Sequence, residues 1–558
     1  MTADIPEVDI RHGKINGSVE ANGTSEKLEI SKLRQALPQV FAVSAKNLLL
    51  LTFGTTLGFP TILIPSLQKE DADITVTREE ITWISSINLF MVPLGCLMSG
   101  PISHRLGRKK TMLFINIPFI SAWILFYYAN STPLLFLALA LTGITGGLCE
   151  APVLTYVAEI TQPHLRGMLS ATSSMAVIIG VFMQLLVGSL TDWRTVALIN
   201  LIFPTICFLA LCLMPESPYW LAGKNRLKEA EEALCWLRGW VSPSYITGEL
   251  KTVYEVSQRI VAGGMDDKKE YWWKIFSKRT FIYPYILISL GFFISSFGGS
   301  ATLQTFAVTI FASLDAPLEK YTATVFLGLA ELIGTAVCVI IIHFTGKRVI
   351  TFISIGGAGF CFMTCAIYDY LNRSAYIDGQ MFTWIPTTLL ISSAFFSHMG
   401  IRLLPWVLCG EVFPAKLSNF TLVLWGDFQA LIHFCIFLVK LSVNIFKKLM
   451  DGRSTATGAA ACTGYIFASI INKTFLYMVD LMYLWGTFFF YASVNVIGFI
   501  VMYYLLPETE GRTLKEIEDH YAGIESLNNK PSKDKSQLKE KWAVSNPAMV
   551  VDDLESKL

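Results

Sequence analysis

The sequence predicts an all-α membrane protein: twelve spanning helices in two pseudo-symmetric six-helix halves, joined by a helical linker on the cytoplasmic side. Three observations carry this prediction. The 558 residues are 53% hydrophobic and only 16% charged, with a mean hydropathy of +0.50. A soluble domain carries about 25% charged residues to keep its surface hydrated, so much of this surface meets lipid. Apolar runs of spanning length also fall six on each side of one long hydrophilic stretch, and the two halves repeat each other's motifs.

A helix needs about 20 mostly apolar residues to cross hydrocarbon, because each backbone group must be bonded internally. Residues 1–40 are polar, lack the short apolar core of a signal peptide, and read as a disordered cytoplasmic tail. The first half, 41–214, holds spans at 41–66, 83–103, 111–129, 132–157, 168–190 and 194–214. The linker, 215–280, is helical in part. Leu227, Ala230, Ala233, Leu234 and Leu237 fall on one stripe, which suits a helix lying flat beneath the bundle. The second half, 281–505, holds spans at 281–312, 320–345, 348–369, 382–410, 419–447 and 475–505. Residues 506–558 form a polar C-terminal tail whose end, beyond about 523, is too hydrophilic to pack.

Orientation follows from Lys and Arg in the connections. His104-Arg105-Leu106-Gly107-Arg108-Lys109-Lys110, Gly346-Lys347-Arg348 and the linker bases Lys224, Arg226, Lys228 and Arg238 all fall on one side when the spans alternate. That side is read as cytoplasmic, with both termini on it. Asn372-Arg373-Ser374 then lies outside, where Asn372 fits the glycan-acceptor pattern.

Several function classes are excluded. A net charge of +1 gives no field for nucleic acid. The eleven cysteines are scattered, mostly inside apolar runs, without metal-ligand spacing. No cofactor or metal is expected. Gly298-Gly299 lies within a span instead of between strand and helix, so it is no phosphate cradle. The motifs suggest no nucleophile–base pair, and an enzyme is not expected.

The internal repeat is a transporter mark. Gly107-Arg108-Lys109 is answered by Gly346-Lys347-Arg348 at a spacing of 239, and Glu159 by Glu411 at 252. Pro215-Glu216-Ser217 is answered by Pro507-Glu508-Thr509 at 292. The step from 252 to 292 places extra residues between 411 and 507. They are assigned to an insertion at 438–467, whose removal joins "HFCIF" to "ASIINKTF" and leaves one ordinary span.

The motifs "GPISHRLGRKK", "YVAEITQPHLRG", "PESPYWL", "LLPWVLCGEVFPAKL" and "PETEGRTL", in this order, resemble the sugar porter family of the major facilitator superfamily over roughly 40–520. "GTTLGFP" and "NKTF" are similar to the facilitated trehalose transporter branch. The resemblance implies the twelve-helix major facilitator fold. It also implies facilitative transport of a hexose or trehalose-like sugar across the plasma membrane by alternating access, with the solute and the lipid bilayer as partners. The alternatives are a carrier of another small organic solute and a non-transporting sugar sensor with a degraded site.

By the same resemblance, Arg105, Arg108, Glu159, Arg166 and Glu216 match the cytoplasmic gate of the first half, and Lys347, Arg348, Glu411 and Glu508 that of the second. Such charges can pair across the halves and hold the inward side shut. His104 and His343 replace the loop acids of the family, and Ser418 replaces the second arginine, so a bias toward inward-open states is expected.

The substrate positions implied by the resemblance are Thr56, Ser174, Ser295, Ser300, Glu331, Trp406 and Gln429, of which few carry the amides usual in the family. Thr56 stands where proton-linked relatives carry an acid, which disfavours proton coupling. Glu150, Glu331 and Arg402 are charges inside apolar spans, costly unless paired or hydrated. They read either as interfacial or ion-paired residues, or as a polar cavity for a charged or amine-bearing solute.

Overall fold

The computed structural model describes residues 31–266, 279–374, 382–411, 453–510, 512, 514–524 and 527. Among them, eleven helices are long and apolar enough to cross a membrane. The first half holds α1 (Lys32–Leu67), α2 (Arg78–Leu106), α3 (Arg108–Tyr128), α4 (Thr132–Ile160), α5 (Pro163–Leu190) and α6 (Trp193–Cys212). The second holds α7 (Ile282–Thr305), α8 (Lys320–Thr345), α9 (Lys347–Arg373), α10 (Trp384–Cys409) and α11 (Arg453–Leu505).

α11 is a 53-residue element folded back at Tyr483, whose φ of 61° breaks the helix. Its limbs, 453–482 and 484–505, therefore supply two spans. This corrects the boundary of the twelfth span: residues 475–482 belong to the preceding limb. The sequence hides the reversal, because no Gly or Pro marks it and the hydropathy runs on through it. The segment read as the eleventh span, 419–447, lies outside the described residues.

The insertion assigned to 438–467 falls on described residues only in its second part. Residues 453–467 are helical and lock into the bundle. The Cys462 thiol donates to the Pro93 carbonyl of α2 at 3.6 Å, and the Tyr285 and Thr463 hydroxyls are 2.9 Å apart. A Cβ on Gly464 would sit 2.5 Å from the Phe292 ring, so this face of α11 is fitted to α7. Residues 438–452 lie outside the described set.

α1 begins at Lys32, inside the stretch read as a tail. Its polar first turns are held by the linker instead of by lipid: Arg34 donates to the Gly239 carbonyl at 3.0 Å and Gln35 to the Tyr245 hydroxyl at 3.1 Å. The linker forms helices Pro218–Gly223, Leu227–Leu237 and Pro243–Asp266. The stripe is confirmed: Ala230, Ala233, Leu234 and Leu237 are buried, with Leu227 at the exposed edge. Arg238 pairs with Glu249 and donates to the Ile160 carbonyl at 3.1 Å, which docks the linker under α4.

The distribution of the core positions the site. At the end bearing Arg78 and Tyr483, one cluster runs unbroken through both halves, from Phe59, Trp123 and Phe126 to Phe306, Phe362, Phe475 and Tyr491. At the end bearing Gly107 and Gly346 the core divides. One cluster, around Phe119, Tyr156 and Leu211, belongs to the first half apart from Cys462; another, around Ile288, Ile355 and Met502, belongs to the second. Among the described residues the halves thus share one core at one end, while at the other each keeps its own, with Cys462 reaching into that of the first half.

Candidate solute cavity and helix-end charges

Between the halves lies a cavity of about 200 Å³, walled by α1, α2, α4 and α5 on one side and α7, α10 and α11 on the other. Three of its helices are interrupted where they meet it. α7 loosens into a π-turn at Ser296–Ser300, with Gly299 at φ 96°; a Cβ there would lie 2.6 Å from Tyr491 and 2.8 Å from Phe362. α4 breaks at Cys149, before Glu150. α10 breaks between Met399 and Leu404, around Arg402.

Breaks inside a membrane free backbone groups that need partners. Serines supply them. Ser99 of α2 donates to the Leu148 carbonyl at 2.7 Å and accepts from the Ala151 amide at 2.9 Å. Ser354 of α9 donates to the Phe396 carbonyl at 2.7 Å and accepts from the Ile401 amide at 2.9 Å.

The aromatic wall is Trp406, packed edge-on against Phe292 at 5.0 Å and tilted on Tyr465 at 5.6 Å between ring centroids. Polar groups around the wall include Ser174, Ser295, Gln304, Asn472 and the charged pair Glu150 and Arg402. The Tyr465 hydroxyl donates to Glu150 Oε1 at 3.3 Å. An aromatic face with scattered donors and acceptors suits a polyhydroxylated solute, whose C–H surface stacks while its hydroxyls bond.

Of the positions implied by sequence, Ser174, Ser295 and Trp406 line the cavity. Thr56 does not: buried in α1, its hydroxyl donates to its own helix, at the Phe53 carbonyl, 2.7 Å away. Ser300 likewise bonds the Ser295 carbonyl at 2.7 Å and braces the π-turn. Glu331 is buried behind the wall, with Oε2 unpartnered and Arg402 within its electrostatic reach. Gln429 lies outside the described residues. Asn472, Gln304 and Tyr465 were missed. "NKTF" drew notice for its resemblance, while the offset of the eleventh span concealed that Asn472 faces inward.

The helix-end charges bond within their own halves. Arg108 grips Glu159 through two parallel bonds of 2.8 and 3.0 Å. Glu216 accepts from the Arg108 and Lys109 amides at 2.8 and 2.9 Å, capping the free N–H groups of α3. The second half repeats this capping. Glu508, fully buried, accepts from the Lys347 and Arg348 amides at 3.1 and 3.0 Å at the start of α9. Lys347 pairs with Glu510 at 3.1 Å, and Arg348 donates to the Leu506 carbonyl at 3.0 Å. Gly107 and Gly346 precede these caps at φ 97° and 84°, and a Cβ at either would fall within about 2.5 Å of the carboxylate (2.4 and 2.5 Å). Arg105 is exposed. The side chains of Arg166 and Glu411 lie outside the described set.

The fused end carries the contacts between halves. Asn472 donates to the Ser85 carbonyl at 3.2 Å and to the Thr305 hydroxyl at 2.9 Å. Lys473 donates to Thr82 at 2.6 Å while lying 4.0 Å from the centre of the Trp83 ring. Thr61 donates to the Gln304 carbonyl at 2.9 Å, and Arg78 pairs with Asp480. Asn372 is exposed at the same end, on the last turn of α9.

Comparison with known proteins agrees with this architecture. The family described as "Sugar (and other) transporter" matches residues 53–444 and 444–521. The facilitated trehalose transporter Tret1 of Bombyx mori is 27% identical over 501 residues, 89% of each chain. That of Apis mellifera ligustica is 26% identical over 490 residues, 87% of this chain and 88% of that one. Among solved structures, the proton:xylose symporter XylE bound to 6-bromo-6-deoxy-D-glucose superposes with a TM-score of 0.64 at 17% identity, covering 87% of this chain and 100% of that one. An inward-open conformation of the E. coli xylose transporter XylE gives 0.62 at 17% identity, over 85% and 98%. The fold is that of the major facilitator superfamily, and the chain belongs to the sugar (and other) transporter family.

Proposed function

We propose that the protein carries a hexose or trehalose-like sugar down its gradient across the plasma membrane by alternating access, with both termini and the linker in the cytoplasm. The observation that carries this reading is the cavity with Trp406 on its wall, set between halves whose described residues share one unbroken core at the Arg78–Tyr483 end. In this orientation the Arg78–Asp480 end is the outer gate and is shut. The helix-end charges from Arg105 to Glu508 belong to the cytoplasmic end, and Asn372 takes a glycan outside. Two bundles that rock about a shared polar hollow need no energy source to equilibrate a solute.

Trp406 with Ser174 and Ser295 forms the solute wall in this reading, and Gln429 is assigned to it by resemblance alone. A second reading, carriage of an organic solute that bears charges of both signs, is favoured by Glu150 and Arg402. The deciding experiment is uptake of labelled glucose and trehalose into liposomes holding the purified full chain. Saturable flux that dissipates with the gradient supports the sugar reading; flux of neither sugar overturns it.

A further inference from the structure

Glu150 and Arg402 are related by the internal repeat. The equivalence of Glu159 with Glu411 has a spacing of 252, and 402 − 150 is also 252. Each residue sits nine positions before its acidic marker, since 159 − 150 and 411 − 402 are both nine. Both lie at the interruption of their helix, α4 or α10, and both interruptions are stapled by a serine from a neighbouring helix. Both line the cavity, one from each half. Symmetry-equivalent positions thus face one hollow with opposite charges.

Neither charge is satisfied as a structural ion pair would be. Among the described residues, no carboxylate comes within salt-bridge distance of Arg402, and its guanidinium makes no hydrogen bond. Among the described residues its five donors meet no acceptor. Glu150 accepts one long bond, 3.3 Å, from Tyr465. Ionisable groups inside spanning helices with so few partners point to a solute path. Opposite signs on facing walls disfavour a net anion or cation, because either is repelled by one wall as strongly as the other attracts it. A neutral solute bearing many hydroxyls meets both, donating to the carboxylate and accepting from the guanidinium in charge-assisted bonds.

We propose that Glu150 and Arg402 are the solute-orienting residues of the cavity, holding a neutral polyhydroxylated solute between a carboxylate of one half and a guanidinium of the other. They take the place of the amides that the resemblance leads one to expect and that Ser295 and Ser300 do not supply. The solute then bridges the halves and favours the closed, occluded state over either open one. Glu331, buried with its Oε2 unpartnered and within electrostatic reach of Arg402, is a positioning residue for the guanidinium. This inference rests on the sugar reading.

The test is concentration-dependent flux of trehalose and glucose in liposomes for the wild type, Glu150→Gln, Arg402→Gln and the double variant, with thermal unfolding confirming that each is folded. Losing one charge-assisted bond is expected to raise KM about tenfold while Vmax changes little. In the double variant the two losses together are expected to fall short of additive, since both act on one solute. Unchanged KM in both single variants, with wild-type sugar flux intact, overturns the inference and leaves the sugar reading standing. Absence of wild-type sugar flux overturns the reading. Labelled alanine and glucuronate complete the set: saturable wild-type flux of either overturns the neutral class, and no flux of either supports it. If a single variant unfolds, Trp406 fluorescence quenching by trehalose in Glu150→Asp and Arg402→Lys replaces it. Those shorter or single-point groups are expected to weaken binding several-fold, and full retention overturns the proposal.

Discussion

Asn472 on α11 and Ser85 on α2 are joined by two bonds across the halves: the amide donates to the Ser85 carbonyl at 3.2 Å, and the Ser85 hydroxyl donates to the Asn472 carbonyl at 3.3 Å. Both residues also line the cavity, so the tie that shuts one end forms the roof of the hollow. Asn472→Ala removes the side-chain bonds to Ser85 and Thr305, each worth about 1 kcal/mol net. Their loss is expected to shift the balance toward the state open at this end by roughly tenfold. The check is labelling of a cysteine placed at Ser85 by an impermeant reagent from outside. Labelling unchanged between Asn472→Ala and its parent would show that the tie does not hold the gate.

The caps at Glu216 and Glu508 predict a matched pair of stability defects. Each carboxylate takes two backbone N–H groups at the start of α3 or α9, where no helical partner exists. Replacement by Ala is expected to cost about 2 kcal/mol at either site, with Glu508 the worse because it is fully buried. Gln, which keeps an acceptor, is expected to restore part of the loss. Thermal unfolding in detergent reads both. Gly107→Ala and Gly346→Ala are expected to be at least as damaging, since each adds a Cβ against the carboxylate and a left-handed backbone. A Gly346→Ala protein as stable as its parent would refute the account.

The fold was legible in the sequence wherever hydropathy and repeat agreed. Six spans of the first half and the first four of the second appear near their expected places, because lipid leaves little choice for a long apolar run. The last quarter was legible only in part. Tyr483 turns the chain without a breaker residue, and the repeat spacing showed that residues were in excess without showing which. Site residues followed the same division. Trp406 and Ser295 could be placed by motif, but Thr56 and Ser300 spend their hydroxyls on their own backbone, which no pattern reveals. Glu150 and Arg402 stood out as charges in apolar runs. Their common wall and their serine staples required coordinates.

Trp406 supplies the clearest prediction about the wall. Its ring packs against Phe292 and Tyr465, so truncation removes both the stacking face and the support of the Glu150 partner. Trp406→Ala is expected to raise KM for sugar by about 10–100-fold, and Trp406→Phe by much less, because a smaller ring still stacks. Steady-state uptake in liposomes separates the two. Equal KM for both variants would show that the face is not used.

The described part of α11 places 453–467 inside the bundle and suggests a second boundary for the excess residues. Removing 438–467 would take away Gly464 and Tyr465, which line the cavity, and is expected to abolish uptake. The first half sets the alternative boundary. Glu159 and Arg166 are seven residues apart, whereas Glu411 and Arg453 are 42 apart, and 42 − 7 leaves 35. Deleting the 35 residues 418–452 joins Leu417 to Arg453, so that "PAKL-RS" echoes "PHLRG" and the arginine missing from the second half is restored. The expectation is a protein that folds and reaches the membrane like the full chain; because the deletion also removes Gln429, retained sugar uptake would take Gln429 off the solute wall. Comparison of uptake and surface expression for the two deletions checks it. Loss of folding in the 418–452 deletion, with the 438–467 deletion intact, would reverse the assignment.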